Sequence, residues 1–395
     1  MNEIRRYKLL GYNSYLIMGM LLTAVSSAMP AIRAEYGFSY ESAGLIFSLG
    51  ALGFFIGSVF GGFFIELLGT KKTNFIGLLI IPVGIFLFIF SKMDLSMAFS
   101  NMIIGIGTGT LESGIPPVCS KFKGNTGKIL NLMHAFFALG AVVSPLIISF
   151  FIGIDISWKI ILLMIIGYLA IPVIANFSLA DFKPGMQKTE KKSHKFSFLK
   201  LFFFWAICAG VFLYVSSELG TSSWSPLFAS DILKTKDSLS GILPSLFWAG
   251  LFVGRVVSSY FVDKFGASKW LLIVSLSGLP IVFFAQNPIH NFTFLSIFVV
   301  ASGLIHSSIY PTLQSILVER VSKGIGFAVG IFAAFGAIGG SAAGFFIGGI
   351  SENWGIKTGY FSAFYFFLGT VLTVFLLYFS ERKKINNVKI GRERI

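Results

Sequence analysis

Apolar runs of about 20 residues follow one another along the whole chain, and that length crosses a bilayer core as a helix. They lie at 9–30, 42–66, 75–91, 96–119, 129–152, 158–178, 199–225, 239–263, 269–286, 292–315, 324–350 and 357–379. In hydrocarbon every backbone polar group needs a partner within its own segment, so isolated runs of this length form helices. Only 12% of the residues are charged, against roughly a quarter in soluble domains, and they gather between the runs. The 46 phenylalanines are too many for one water-surrounded core. The expectation is an all-α membrane protein with twelve transmembrane helices. A soluble α/β protein with buried strands would need shorter runs. The first run follows Arg5, Arg6 and Lys8, and Ser26-Ser27-Ala28 imitates a cleavage site, but it is too long for a signal-peptide core and another run follows at once. It is read as a retained span.

The net charge of +14 could point to nucleic acid, yet no basic stripe interleaved with exposed aromatics lies on a polar domain. Topology explains the charge better. With both termini cytoplasmic, the inner segments hold 24 of the 31 basic residues and the outer ones hold six, with Arg255 inside a span. That asymmetry follows the positive-inside rule and predicts a multi-pass protein of the plasma membrane with cytoplasmic termini. The longest connection, MQKTEKKSHK, is polar and lysine-rich and follows the sixth run. The predicted organisation is a six-helix bundle over 1–180, a linker over 181–198, a second bundle over 199–380 and a basic tail over 381–395, near anionic head groups.

The two bundles repeat. Ser48, Gly57, Glu66, Gly69 and Lys72 match Ser245, Gly254, Asp263, Gly266 and Lys269 at an offset of 197. Ser27-Ala-Met-Pro30 matches Ser223-Trp-Ser-Pro226, and Glu112…Pro117 matches His306…Pro311. Phe137-Ala-Leu-Gly140-Ala141 matches the Gly336-Ala337 region of the eleventh run. A parallel duplication of six spans explains one order and nearly one offset, and it puts a substrate site between the halves near mid-membrane.

Gly62-Phe-Phe-Ile-Glu66-Leu-Leu-Gly69-Thr-Lys71-Lys72 resembles the GxxxD-x-x-G-x-[RK]-[RK] signature of the major facilitator superfamily, and Ser259…Asp263-Lys264-Phe-Gly266-Ala-Ser-Lys269 echoes it. The resemblance implies a gating role for Gly62, Glu66, Gly69, Lys72, Asp263, Gly266 and Lys269. Arg255, two turns up the helix from Asp263, joins the gating candidates, because a charge at that depth needs a partner and that acid is the expected one. More narrowly, Gly109-Thr-Leu-Glu112-Ser-Gly114 and Leu130-Asn131-Leu-Met-His134…Gly140-Ala141…Pro145 resemble the fucose permease-like group of bacterial sugar:proton symporters. Glu218, eight residues before Pro226, resembles the glucose/mannose:proton symporters. Where the fucose permease carries an aspartate on its first span, this chain has Ser26.

Ionisable groups inside spans are costly and therefore functional candidates. Glu112 and Glu218 are the proton-coupling candidates, since a carboxyl in a partly dry cavity can exchange a proton as the cavity alternates. For Glu112 the competing reading is a neutral acid that only bonds neighbouring helices. For Glu218 it is a solvated helix end. Glu218 shares a face with Thr221, Ser222 and Ser225, a hydroxyl set suited to sugar. Asn131 and His134, three apart on one face, join the substrate-binding candidates, as do His306 at the repeat place of Glu112 and Tyr310 one turn on. Trp224 and Trp248 complete the set as rings able to stack on a sugar, although an aromatic in a span more often packs or anchors. The glycines Gly336, Gly339, Gly340 and Gly344 read as a close helix-packing stripe rather than a phosphate loop.

No Walker sequence, metal-binding spacing or disulfide framework occurs; the two cysteines, Cys119 and Cys208, lie in or beside apolar runs. An enzyme would need a nucleophile with its base or a metal cluster, and neither is legible. The expected function is therefore secondary active uptake of a small neutral solute, most simply a monosaccharide, by alternating access. No cofactor is expected beyond an ion gradient, with H+ preferred to Na+, and the family expectation is a monomer. The alternative is proton-coupled efflux of an amphipathic compound. Antiporters of the superfamily carry a pattern resembling GxxxGPxxGG on span five, and Gly140-Ala-Val-Val-Ser144-Pro145-Leu-Ile-Ile-Ser149 lacks its later glycines.

Overall fold

The computed structural model describes residues 3–121, 126–181, 197–287, 291–321 and 325–392, all helical apart from short connections. The first half comprises α1 (Glu3–Tyr36), α2 (Tyr40–Leu68), α3 (Thr70–Phe90), α4 (Asp94–Gly114), α5 (Thr126–Gly153), α6 (Lys159–Tyr168) and α7 (Ala170–Phe177). The second comprises α8 (Phe202–Asp231), the short α9 (Asp237–Ser240), α10 (Leu243–Phe265), α11 (Ala267–Gln286), α12 (Phe292–His306), α13 (Ile309–Arg320) and α14 (Ile325–Arg392).

These elements give twelve crossings. Helices α6 and α7 form one span, as do α12 and α13, and α14 is two spans joined at Gly355, whose φ of 82° and ψ of 154° break the helix. Counting α14 once, ten of the described helical segments are long and apolar enough to cross a bilayer. Helix α4 has the length but carries a polar stripe of Ser100, Asn101, Thr108, Thr110 and Glu112. Two ends differ from expectation. Helix α8 continues to Asp231 rather than stopping near 225, and α14 runs to Arg392 rather than ending near 379. Most of the expected linker, residues 182–196, lies outside the described residues.

The duplication is visible in the backbone. Gly69 (φ 83°) joins α2 to α3 and Gly266 (φ 79°) joins α10 to α11, both in the left-handed region that favours glycine. A Cβ on Gly109 of α4 would lie 2.1 Å from the Phe54 carbonyl, and one on its counterpart Gly303 of α12 would lie 2.1 Å from the Phe247 carbonyl. Both halves thus cross their second and fourth spans at backbone contact distance, which only small residues allow. The fourth span of each half also breaks at one place. Helix α4 stops at Gly114 and continues as a 3₁₀ segment, Pro116–Lys121, because consecutive prolines remove donors; α12 stops at His306 and α13 restarts at Ile309. The buried Tyr7 hydroxyl donates to the Ile115 carbonyl at this break at 2.7 Å.

The halves meet most closely in the half of the helices away from the termini. Gly344 on α14 packs on Gly44 and Ser48 of α2, and Gly339 packs on Phe212 of α8, so the glycine stripe serves close packing as expected. Ser48 donates to the Ser341 carbonyl at 2.8 Å, Ser27 to Gly241 at 2.7 Å and Ser245 to Val142 at 2.5 Å.

Candidate functional site

Near mid-span the two halves bring their ionisable residues face to face. The Glu112 carboxyl on α4 lies near the Tyr15 hydroxyl on α1. The Tyr15 ring stands edge-on to His134 of α5, with centroids 5.4 Å apart, and Tyr12 stacks on Phe136 at 4.9 Å. In the second half, Tyr214 donates to the Glu218 carboxyl one turn along α8. Glu218 is 8% exposed and hydrogen-bonded, so it is no solvated helix end. The Tyr214 ring lies 6.3 Å from Tyr310 on α13 and 5.7 Å from His306 on α12.

His306 is fully buried, and its bonds define its form. Its Nδ1 lies 2.8 Å from the Ser302 carbonyl, which can only accept, so Nδ1 carries the hydrogen. In the neutral ring Nε2 then accepts from the Ser217 hydroxyl at 3.2 Å, tying α12 to α8.

Electrostatics link the two sets. Tyr310 feels both Glu112 and Glu218, and the Arg255 guanidinium on α10 reaches His134, Tyr214, Glu218 and Tyr310. Glu112, Arg255 and Tyr310 are half-buried and His134 is exposed, although all sit on membrane-spanning helices and face the opposite half. Their exposure on helices of both halves opens a cleft between the halves at this level. The partner expected for Arg255, Asp263, has its side chain outside the described residues, as does Asn131.

The remaining sequence-picked residues fall elsewhere. Trp224 (1% exposed) meets Phe47 edge-on at 5.5 Å, and Trp248 meets Phe137 edge-on at 5.8 Å. Both contacts join one half to the other, so these rings lie in the seam between them. Ser222 is buried beside Ser225, and Thr221 is occupied by Gln286 Nε2 at 2.6 Å. Among the gating candidates, Gly69 places the Lys71 amide on the Asp181 carboxylate at 3.0 Å, while Lys71 Nζ bonds the Phe177 carbonyl at 2.9 Å. Asn176 closes this joint on the Lys71 carbonyl at 3.0 Å. Gly62, Glu66 and Lys72 are exposed beside it, and Lys269 lies over the Phe265 ring. Tyr15 and Tyr214 were missed from sequence, as was a latch at the face away from the termini. There Arg33 Nη1 contacts Asp231 Oδ2 at 2.6 Å, Tyr40 donates to the same oxygen at 2.6 Å, and the Tyr40 amide donates to Glu352 at 2.9 Å.

Twelve spans in two repeats around a central cleft are the architecture of a membrane transporter. The chain belongs to the Major Facilitator Superfamily, whose model matches residues 12–285 and 234–394. Among curated proteins it is similar to the Protein TsgA homolog of Buchnera aphidicola subsp. Acyrthosiphon pisum, 24% identical over 355 residues that cover 86% of this chain and 88% of the relative. The homolog from Yersinia enterocolitica is 23% identical over 324 residues, covering 79% and 80%. Among solved structures, a D-xylose-proton symporter superposes with a TM-score of 0.74 at 16% identity, covering 95% of this chain and 97% of that one. The nucleoside transporter NupG gives a TM-score of 0.70 at 16% identity, covering 95% and 98%. A variant of the E. coli fucose:proton symporter FucP gives 0.64 at 16% identity, covering 95% and 99%.

Proposed function

We propose that this chain takes up a small polyhydroxylated solute, a monosaccharide in the simplest case, together with protons across the plasma membrane. What carries the reading is the placing of Glu112 and Glu218, one from each half, each at a tyrosine hydroxyl and both within electrostatic reach of Tyr310. A charged carboxylate opposes closure of a dry cleft, and protonation removes that cost, so loading a proton permits the halves to rock. Tyr15, His134, Tyr214 and Tyr310 supply donors and acceptors of the kind sugar hydroxyls need. The two proton symporters among the superposed structures support the same reading.

With the termini in the cytoplasm, as the basic residues imply, the Arg33–Asp231 latch lies outside and the cleft faces inward. Gly69 and Gly266 hold the tight cytoplasmic turns that gate the opposite face, with Glu66, Lys72, Asp263 and Lys269 around them. The test is uptake by purified protein in liposomes of labelled glucose, mannose, fucose, galactose and their N-acetyl derivatives. An inward proton gradient is expected to accelerate at least one of them. If none of these and no acidic sugar moves under any gradient, the sugar reading fails and proton-coupled efflux of an amphipathic compound takes its place.

A further inference from the structure

Arg255 is the one cation inside the membrane-spanning part of the sequence, and its surroundings bear on the charge of the solute. Its Nε is buried without a hydrogen-bond partner among the described residues. Among the described residues, the groups within its electrostatic reach include His134 of the first half and Tyr214, Glu218 and Tyr310 of its own. Glu218 is the acid among them, and it is engaged instead by the Tyr214 hydroxyl. The duplication sharpens the contrast. At the offset of 197 the first-half counterpart of Arg255 is Ser58, so the cation breaks the symmetry that its neighbouring glycines, Gly57 and Gly254, keep.

A half-buried guanidinium with its Nε out of solvent is costly unless an anion meets it, and its planar fork of donors matches a carboxylate. Tyrosine hydroxyls of both halves surround the same cleft. Resting on the reading of this cleft as the solute site, we infer that the transported solute is a polyhydroxylated carboxylate, a sugar acid rather than a neutral sugar, whose carboxylate is held by Arg255. His134 and Tyr310 reach the same anion from the two halves, so its arrival draws them together. Proton uptake at the two glutamates keeps the loaded cleft from carrying excess negative charge.

Glucose and glucuronate differ at one carbon, alcohol against carboxylate, and so form the probe pair. Both are measured as labelled solutes with full-length protein in liposomes under an inward proton gradient, alone and in competition. The expected result is half-saturation by glucuronate at a concentration at least about tenfold lower than by glucose. Arg255→Gln is expected to raise the glucuronate value by about 30-fold or more, and Arg255→Lys by less, because lysine keeps the charge without the fork. Uptake of glucose that glucuronate neither shares nor inhibits overturns the inference and leaves the sugar reading standing. Uptake of neither overturns both. An equal loss of both solutes in Arg255→Gln also overturns it, since Arg255 then serves only as a counter-charge to Glu218. Should Arg255→Gln fail to fold, the wild-type competition decides alone.

Discussion

Arg33 on α1 and Asp231 on α8, the corresponding helices of the two halves, meet end to end at 2.6 Å, and Tyr40 binds the same carboxylate while its ring lies 3.9 Å beneath the guanidinium. This three-residue tie closes one face of the molecule. The side chains of Arg33 and Asp231 are 19% and 33% exposed, so solvent screens the pair and its worth is about 1 kcal/mol.

Breaking that tie shifts the balance between open faces. Asp231→Asn is expected to raise, by about fivefold, the labelling of a cysteine placed at Ser245 by a thiol reagent that does not cross the membrane. Ser245 donates to Val142 across the seam beneath the latch, so unchanged labelling would show that the latch does not hold the seam.

Gly69 and Gly62 belong to one motif but are held differently. A Cβ on Gly69 would stand 2.4 Å from the Asp181 carboxylate at a φ of 83°, whereas one on Gly62 meets open space. Gly69→Ala is expected to cost about 1–2 kcal/mol and to lower the thermal unfolding midpoint, with Gly62→Ala close to wild type. Equal midpoints for the two would contradict the account of this joint.

The bond from Ser217 to His306 is the buried tie between α8 and α12. Ser217→Ala leaves the ring nitrogen unsatisfied and is expected to destabilise by about 1–3 kcal/mol, read as earlier thermal unfolding in detergent. Ser315→Ala, whose hydroxyl only bonds back to the Thr312 carbonyl on its own helix, serves as the near-neutral comparison.

Tyr214 donates to the Glu218 carboxyl, and the Tyr15 hydroxyl lies near that of Glu112. Tyr15→Phe and Tyr214→Phe each remove one donor and are expected to slow proton-driven uptake by about tenfold while leaving the protein folded. Full-speed uptake in both would show that the hydroxyls take no part.

The spans, the duplication and the Gly69 and Gly266 turns were legible because each is written as a local pattern: run length, repeated spacing, a glycine before basic residues. Glu112, Glu218 and His306 were legible because a polar group in an apolar run stands out. Tyr15 and Tyr214 were not, since tyrosine is at home in a span and only the fold shows that its hydroxyl faces an acid. The Arg33–Asp231 tie spans 198 residues and depends on how two bundles dock, which no spacing records. Trp224 and Trp248 shared a composition signal with sugar-stacking rings, and docking put them in the seam.

The proposed coupling of solute movement to protons rests on Glu112. Its most direct test compares Glu112→Gln with wild type in liposomes, measuring both gradient-driven accumulation and exchange of labelled for unlabelled solute without a gradient. Neutral glutamine keeps the shape and the polarity beside Tyr15 but cannot carry a proton. The account predicts that accumulation is lost while exchange persists. Accumulation at the wild-type rate in Glu112→Gln would contradict it.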